Sequence, residues 1–449
     1  MLVNHPVRGL VVIASLSALS TPALAQTSAP YSGLFRGSGS ASAVGQRLDF
    51  NFSLVEAYDD DVYADVRPGI TPAEDPTAGF YTMLVTAADY RLARRGLEVG
   101  VSGTSALRYY PDLREVHTIS HSASAGLSAR VSRTATLFVN QSAAYSPSYL
   151  YGLFPASAET PAPGDLIPAA PDYSLDQSDS YSYRTMATLA HRVGDAGNLS
   201  STGEFQYTDY LHEDELRYRD KRTAGIRGQY EHRLTRNVRF SSGYRFRSGD
   251  FGYLVGTNTN EHGIDFGATY SRALSVSRRA DIGFGIGVST VEIPASTSEV
   301  QLAESPLQGR LYRMSGNLTL GYQFRPGWEA RAAYRRGLEY IPDLTAPVFL
   351  DGVTTGLEGL VTRRMALSAS ASYSKGESIL NRSASAFDTY TGSVRGRYAF
   401  TSGLAVFAEY LYYFYDFSES ALLAPGLPPG LERNAVRAGL MLWVPAVGR

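Results

Sequence analysis

Arg437-Ala438-Gly439-Leu440-Met441-Leu442-Trp443-Val444 is the stretch on which the fold turns. Leu440, Leu442 and Val444 share one phase of a two-residue period, while Gly439 and Met441 occupy the other. An extended chain sends alternate side chains to opposite faces, so this stretch predicts a strand with one apolar face. The same period runs back through the chain to Leu48. Val406, Ala408, Tyr410, Tyr412 and Phe414 form one such row, and Val238, Phe240, Ser242, Tyr244 and Phe246 another. Leu318, Leu320, Tyr322 and Phe324 form a third, opposite Asn317, Thr319, Gly321 and Gln323. Rows that end in Tyr or Phe suit the boundary between hydrocarbon and headgroups.

The connectors between these rows alternate in length. Short turns fall at Arg94-Arg95-Gly96, Ser132-Arg133-Thr134, Gly194-Asp195-Ala196-Gly197 and Thr235-Arg236-Asn237. Four more fall at Ser277-Arg278-Arg279, Arg325-Pro326-Gly327, Thr362-Arg363-Arg364 and Thr401-Ser402-Gly403. Longer polar loops lie between them, near 58–78, 109–117, 148–178, 212–217, 250–258, 293–307, 341–352, 375–384 and 418–430. This alternation predicts an all-β, transmembrane, antiparallel up-and-down barrel of about eighteen strands, or sixteen if 353–362 is not a strand. A solenoid or propeller would need a fixed-period repeat, and none is present.

The N-terminus sets the compartment. His5 and Arg8 precede an apolar run from Gly9 to Leu19, and Ala23-Leu24-Ala25 forms a small-residue cleavage site. The run is far shorter than the roughly 20 residues that span a bilayer as a helix. Residues 1–25 therefore read as a signal peptide, 26–46 as a flexible periplasmic lead-in rich in Ser, Gly and Ala, and 47–449 as the barrel. With that export signal, the terminal stretch resembles the closing-strand signal of bacterial outer-membrane barrels, with Gly439, Leu442 and Val444 at its fixed points. The expected location is the outer membrane of a Gram-negative bacterium, as an integral protein. The expected partners there are lipid, lipopolysaccharide and the barrel assembly machinery. The chain has no cysteine, so disulfide and thiolate chemistry are ruled out. Its net charge of −2, 31 tyrosines and 43 glycines suit a wall whose two faces average out.

The face opposite the apolar rows is basic. Arg217, Arg219, Lys221 and Arg227 share a phase on one strand, and Arg239, Arg245 and Arg247 on the next. Arg331 with Arg335, and Arg395 with Arg397, repeat the pattern, and Arg184 and Arg313 sit in similar phases. Arg227, Arg239, Arg245, Arg247, Arg331, Arg335, Arg395 and Arg397 are thus the candidate lumen and substrate-path residues. Such a row either favours carboxylate and phosphate solutes or pairs with Glu204, Glu231, Glu329 and Glu409 to stiffen the wall. The first loop is acidic, with Asp59-Asp60-Asp61, Asp65, Glu74 and Asp75, and so are Asp165, Asp172, Asp176 and Glu213-Asp214-Glu215. Their spacing is not that of a dedicated calcium loop, so they read as solvated loop acids. The loop 148–178 is the longest and could narrow the mouth.

Enzymatic signals are missing. Seven histidines are scattered, and His117 and His121 lie on no helix that would make them a metal pair. Gly283-Phe284-Gly285-Ile286-Gly287 alternates like a strand and does not form a nucleotide-binding turn. No catalytic residue, cofactor, metal or nucleic-acid partner is expected.

Phe50-Asn51-Phe52-Ser53-Leu54-Val55-Glu56-Ala57-Tyr58-Asp59-Asp60-Asp61-Val62-Tyr63 resembles the first hairpin of one family. Its members are the outer-membrane β-barrel porins found with exopolysaccharide export systems, including those of PEP-CTERM type. A first strand ending in Glu-x-Tyr, then an acidic cluster and an aromatic residue, carries the resemblance. Phe80 to Arg91 and Leu97 to Tyr110 extend it, and Asp61 stands where Asn is the family's residue. The resemblance implies translocation of an exopolysaccharide, with a periplasmic polysaccharide export protein below and an acidic polysaccharide as cargo. The residues themselves leave two other functions open. One is a general diffusion porin for small anionic solutes, and the other a structural or adhesive surface barrel.

Overall fold

The computed structural model describes residues 45–62, 78–111, 116–145, 180–210, 220–250, 258–275, 278–293, 309–325, 327–341, 347–378, 386–417 and 430–448. These residues form eighteen strands. The first nine are β1 (Gly45–Asp59), β2 (Gly79–Arg94), β3 (Leu97–Tyr110), β4 (Val116–Arg130), β5 (Ala135–Tyr145), β6 (Ser180–Val193), β7 (Gly197–Tyr210), β8 (Lys221–Arg233) and β9 (Val238–Asp250). The remainder are β10 (Asn258–Ser275), β11 (Arg278–Ile293), β12 (Gly309–Arg325), β13 (Trp328–Glu339), β14 (Val348–Leu360), β15 (Met365–Ser378), β16 (Ala386–Ala399), β17 (Leu404–Phe417) and β18 (Gly430–Gly448).

Each strand pairs antiparallel with its chain neighbours, and β1 pairs with β18 as well as β2, so the sheet closes on itself. The count is eighteen because residues 353–360 of the weakly patterned 353–362 belong to β14, which begins at Val348 and ends at Leu360. The wall itself starts at Gly45. The acidic residues Asp65, Glu74, Asp75, Asp165, Asp172, Asp176 and Glu213 to Glu215 lie outside the described residues, as do the loop 148–178, Arg217 and Arg219.

The outward face is apolar from strand to strand. Ile264 and Phe266 on β10, Ile282, Phe284, Ile286 and Val288 on β11, and Met314, Leu318 and Leu320 on β12 all stand exposed. A soluble protein would not leave such a continuous belt facing water. Aromatic rows bound the belt. Tyr334, Val353, Tyr373, Tyr390 and Phe414 are successive register partners across β13 to β17. At the short-turn end stand Phe240, Tyr270, Tyr322, Phe324, Tyr398 and Phe400. From Tyr390 to Tyr398, a strand rising ~3.3 Å per residue and tilted roughly 40° climbs about 20 Å, close to the ~25 Å apolar band of outer-membrane barrels. No helix among the described residues is long and apolar enough to cross a membrane; the strands make the crossing. The chain is an integral outer-membrane β-barrel, with its short turns on the periplasmic side.

Three inter-strand pairs join an aromatic ring to a glycine. Phe407 lies over Gly439, Trp328 over Gly359 and Phe387 over Gly376, each pair being direct register partners. The ring covers backbone that a glycine would otherwise leave bare. This gives Gly439 a packing role on the inner face, while Leu442 and Val444 point outward into the belt. A methyl group at residue 439 would sit 2.7 Å from Phe407 Cε1 and 2.6 Å from the Leu54 carbonyl oxygen.

Gly439→Ala is therefore expected to destabilise the barrel by about 1–3 kcal/mol through overpacking. Gly396→Ala, where nothing lies within 4 Å of the added carbon, should cost far less. Urea midpoints of the two refolded variants, read from the shift in gel mobility on unfolding, check the contrast. Equal midpoints would refute it.

Candidate functional site: the lumen wall and its outer mouth

Register places all eight candidate arginines on the inner face. Arg227, Arg239, Arg245 and Arg247 alternate with outward Ile226, Phe240 and Tyr244, and Arg331 and Arg335 flank outward Tyr334. Arg395 and Arg397 alternate with outward Val394 and Tyr398. Six of the eight hold an acid. Arg227 reaches Asp265 at 2.8 Å and Arg239 reaches Glu231 at 3.2 Å. Arg331 bonds Glu329 at 2.6 Å, and Arg335 bonds Glu339 at 2.7 Å. Arg245 and Arg247 share the buried Glu261, at 2.8 and 2.7 Å, and Ser289 donates a further hydrogen bond to it at 2.9 Å. Charge that is paired in this way stiffens the wall and contributes little net field.

The wall formed by β15 to β18 differs. Arg395 stacks on the Phe407 ring at 4.2 Å and touches the Met441 sulfur at 3.7 Å, while its Nε is buried without a hydrogen-bond partner. Glu409, its register partner, hydrogen-bonds Arg437 at 2.9 Å. Arg395 therefore lies beside the Glu409–Arg437 pair with no acid bound to it among the described residues. Beside them runs a column of hydroxyls: Ser370 with Ser393 at 2.7 Å, Ser372 with Thr391 at 3.4 Å and Ser374 with Thr389 at 2.6 Å. Sequence reading grouped all eight arginines together. Only the inter-strand register separates the paired ones from Arg395.

The outer mouth has a second layer that the sequence reading missed. Pairing between β12 and β13 ends at Gly316 with Arg336, although both strands continue. Beyond that point the end of β13, still paired with β14, parts from β12 and lies against the inner face of β9 to β12, while β14 stays paired with β15 as far as Val348 and Ser378. Leu338 and Phe349, paired with each other, pack with Val291 and Leu311 in one buried cluster that Tyr340 flanks. Arg247 donates to the Leu338 carbonyl at 2.5 Å and stacks on Tyr340 at 4.2 Å, and Thr259 donates to the Tyr340 hydroxyl at 3.4 Å. Residues 341–352 read as a polar loop, but Tyr340, Ile341, Val348, Phe349 and Leu350 are apolar or aromatic, and most of them are buried. That apolar run was the available signal: such side chains beyond the membrane end need a surface to cover them.

The histidines lie elsewhere. His117, His121, His191, His232 and His262, all those among the described residues, occupy outward phases of β4, β6, β8 and β10. His117 and His121 share the outer face of β4, and no group of three or more His, Cys, Asp or Glu among the described residues could hold a metal ion.

No family model matches the chain, and no curated protein does. Among solved structures it is similar to OccAB2 of Acinetobacter baumannii, with 8% identity, a TM-score of 0.46, and coverage of 90% of this chain and 98% of that one. OccK2 (OpdF) of Pseudomonas aeruginosa, in complex with glucuronate, gives 7% identity and a TM-score of 0.45 over 90% and 98%. The outer membrane protein OprD of Pseudomonas aeruginosa gives 11% and 0.40 over 89% and 94%. The barrel stands on its own closed register, independently of these similarities.

The inner layer narrows the mouth on the β9–β12 side. Replacing Leu338 and Phe349 with Ser, which removes the apolar contact that holds this layer on β11 and β12, should raise single-channel conductance on the order of twofold and admit larger uncharged polymers. Planar-bilayer recordings with graded polyethylene glycols measure both. An unchanged conductance and size limit in the folded variant would rule out this role for the inner layer.

Proposed function

We propose that the barrel is a porin-type channel passing small solutes that carry a carboxylate or phosphate. The guanidinium of Arg395, stacked on Phe407 with no acid bound to it among the described residues, carries this reading. Guanidiniums bind such groups in a planar, bidentate fashion, and adjacent hydroxyls supply donors to the remaining oxygens. A low-dielectric wall strengthens the field of charges that are not locally cancelled. The layered mouth suits small solutes, since a polymer would need a clear path past it. Neither feature asks for chemistry at the wall, so no catalytic residue enters the reading.

Exopolysaccharide export rests on the likeness over residues 50–110, and no feature of the lumen is specific to a polymer. The outward Leu442 and Val444 and the ring-covered Gly439 serve, in this reading, as the insertion signal presented to the barrel assembly machinery.

The variant Arg395→Ser should lower the anion-to-cation permeability ratio on the order of twofold. The charge-neutral pair Arg227→Ser/Asp265→Ser should leave it nearly unchanged, because that arginine is already compensated. Reversal potentials in a salt gradient read both, and a cation-selective wild type would sink the anion reading. Acidic polysaccharide retained in the periplasm of a deletion strain would favour export instead.

A further inference from the structure

The periplasmic rim carries a ring of arginines that the channel reading does not use. Four of its short turns share one design. A residue from the outward row is followed by Ser or Thr, whose hydroxyl accepts the backbone N–H three residues on. Ser132 accepts from Ala135 at 2.9 Å, Thr235 from Val238 at 3.0 Å, Thr362 from Met365 at 3.0 Å and Thr401 from Leu404 at 3.1 Å. The preceding residues Val131, Leu234, Val361 and Phe400 are apolar, exposed and outward. In three of the four turns the residue after the Ser or Thr is arginine: Arg133, Arg236 and Arg363, the last followed by Arg364. Arg94 and Arg95 on the β2–β3 turn, with Arg272 and Arg278 at the β10–β11 end, extend the ring. All eight are exposed, and none has an ion-pair partner among the described residues.

We propose that this rim binds the phosphate groups of acidic phospholipids in the periplasmic leaflet. The site places an apolar side chain at the foot of the lipid-facing belt and a guanidinium one turn position below it. That is the order in which a phospholipid presents its acyl chain and its phosphate. Hydroxyl-to-backbone bonds fix the turns, so the arginines start from a held backbone. The basic tips follow β4, β8 and β14, on different sides of the barrel. A surrounding annulus of lipid can meet all of them, whereas a docked protein would favour one side. The external end contrasts: its outward row Arg336, Asp351, Lys375, Asp388 and Asp416 mixes signs.

The test uses the full barrel reconstituted in phosphatidylcholine vesicles with and without phosphatidylglycerol. Thermal unfolding of wild type is compared with Arg133→Ser/Arg236→Ser/Arg363→Ser/Arg364→Ser. Wild type should unfold on the order of tenfold more slowly when phosphatidylglycerol is present, and the gain should vanish in high salt. The variant should unfold at similar rates in both vesicles. Should the variant not refold, the salt dependence of wild type alone decides. Equal rates for wild type in the two vesicles, a gain that survives high salt, or a gain retained by the variant would overturn the proposal. So would an acidic periplasmic protein that co-purifies with wild type and not with the variant while the lipid effect is absent.

Discussion

Everything in this molecule depends on the pairing of β1 with β18. In hydrocarbon an unpaired backbone N–H or C=O costs several kcal/mol, so a sheet survives there only without edges. The seam runs nearly the whole length of β1, from Arg47 against Gly448 to Asp59 against Ala435. At its external end a salt bridge buried in the lumen spans it: Arg433 holds both oxygens of Asp59 at 2.6–2.9 Å, with no exposure of either side chain. Next to it Asp60 accepts the backbone N–H and the side-chain amide of Asn434 at 2.7 and 2.8 Å. Losing one partner of such a pair costs about 3–5 kcal/mol, because the other charge is left buried and alone. The acidic cluster that opens the first loop is therefore partly a closure device. Two of its three aspartates hold β18.

Once the sheet closes, its two faces are free to differ. Lipid selects the outer one, which becomes a belt bounded by aromatic rows. The inner face keeps polar side chains that the lipid would reject. Most lumen arginines there are committed to wall acids, as Arg227 is to Asp265. Function then falls to the places where compensation is incomplete. At Arg395 the guanidinium stacks on Phe407 with no acid bound to it among the described residues, and in the proposed reading that imbalance, more than the number of arginines, is what draws an anion.

The barrel was legible because period-two patterning and turn chemistry are local. Ser132, Thr235, Thr362 and Thr401 mark turns in sequence, and each caps its turn in the fold. The inward placement of the eight arginines was legible for the same reason. What each arginine does was not, because partners such as Arg247 and Glu261 meet through the register of two strands. The inner layer at the mouth was hidden by an assumption that external connectors are polar. Leu338, Val348 and Phe349 break that assumption in plain sight, but their destination, the lumen face of β11 and β12, is a tertiary fact.

That layer also obeys the rule that governs the seam. Where β13 parts from β12, both strands acquire a free edge, which hydrocarbon would not tolerate. The parting occurs just beyond the pair Gly316–Arg336, two residues above Tyr334 in the external aromatic row. The edges therefore open at headgroup level, where water reaches them. Arginine side chains take up part of the loss: Arg336 donates to the Met314 carbonyl at 3.3 Å, and Arg247 to the Leu338 carbonyl at 2.5 Å. One guanidinium caps each exposed edge, and Arg336 also holds Asp351 at 2.8 Å. An inward fold at this height is thus compatible with a closed barrel below it. The same fold started a turn lower would leave carbonyls in lipid with no donor to meet them.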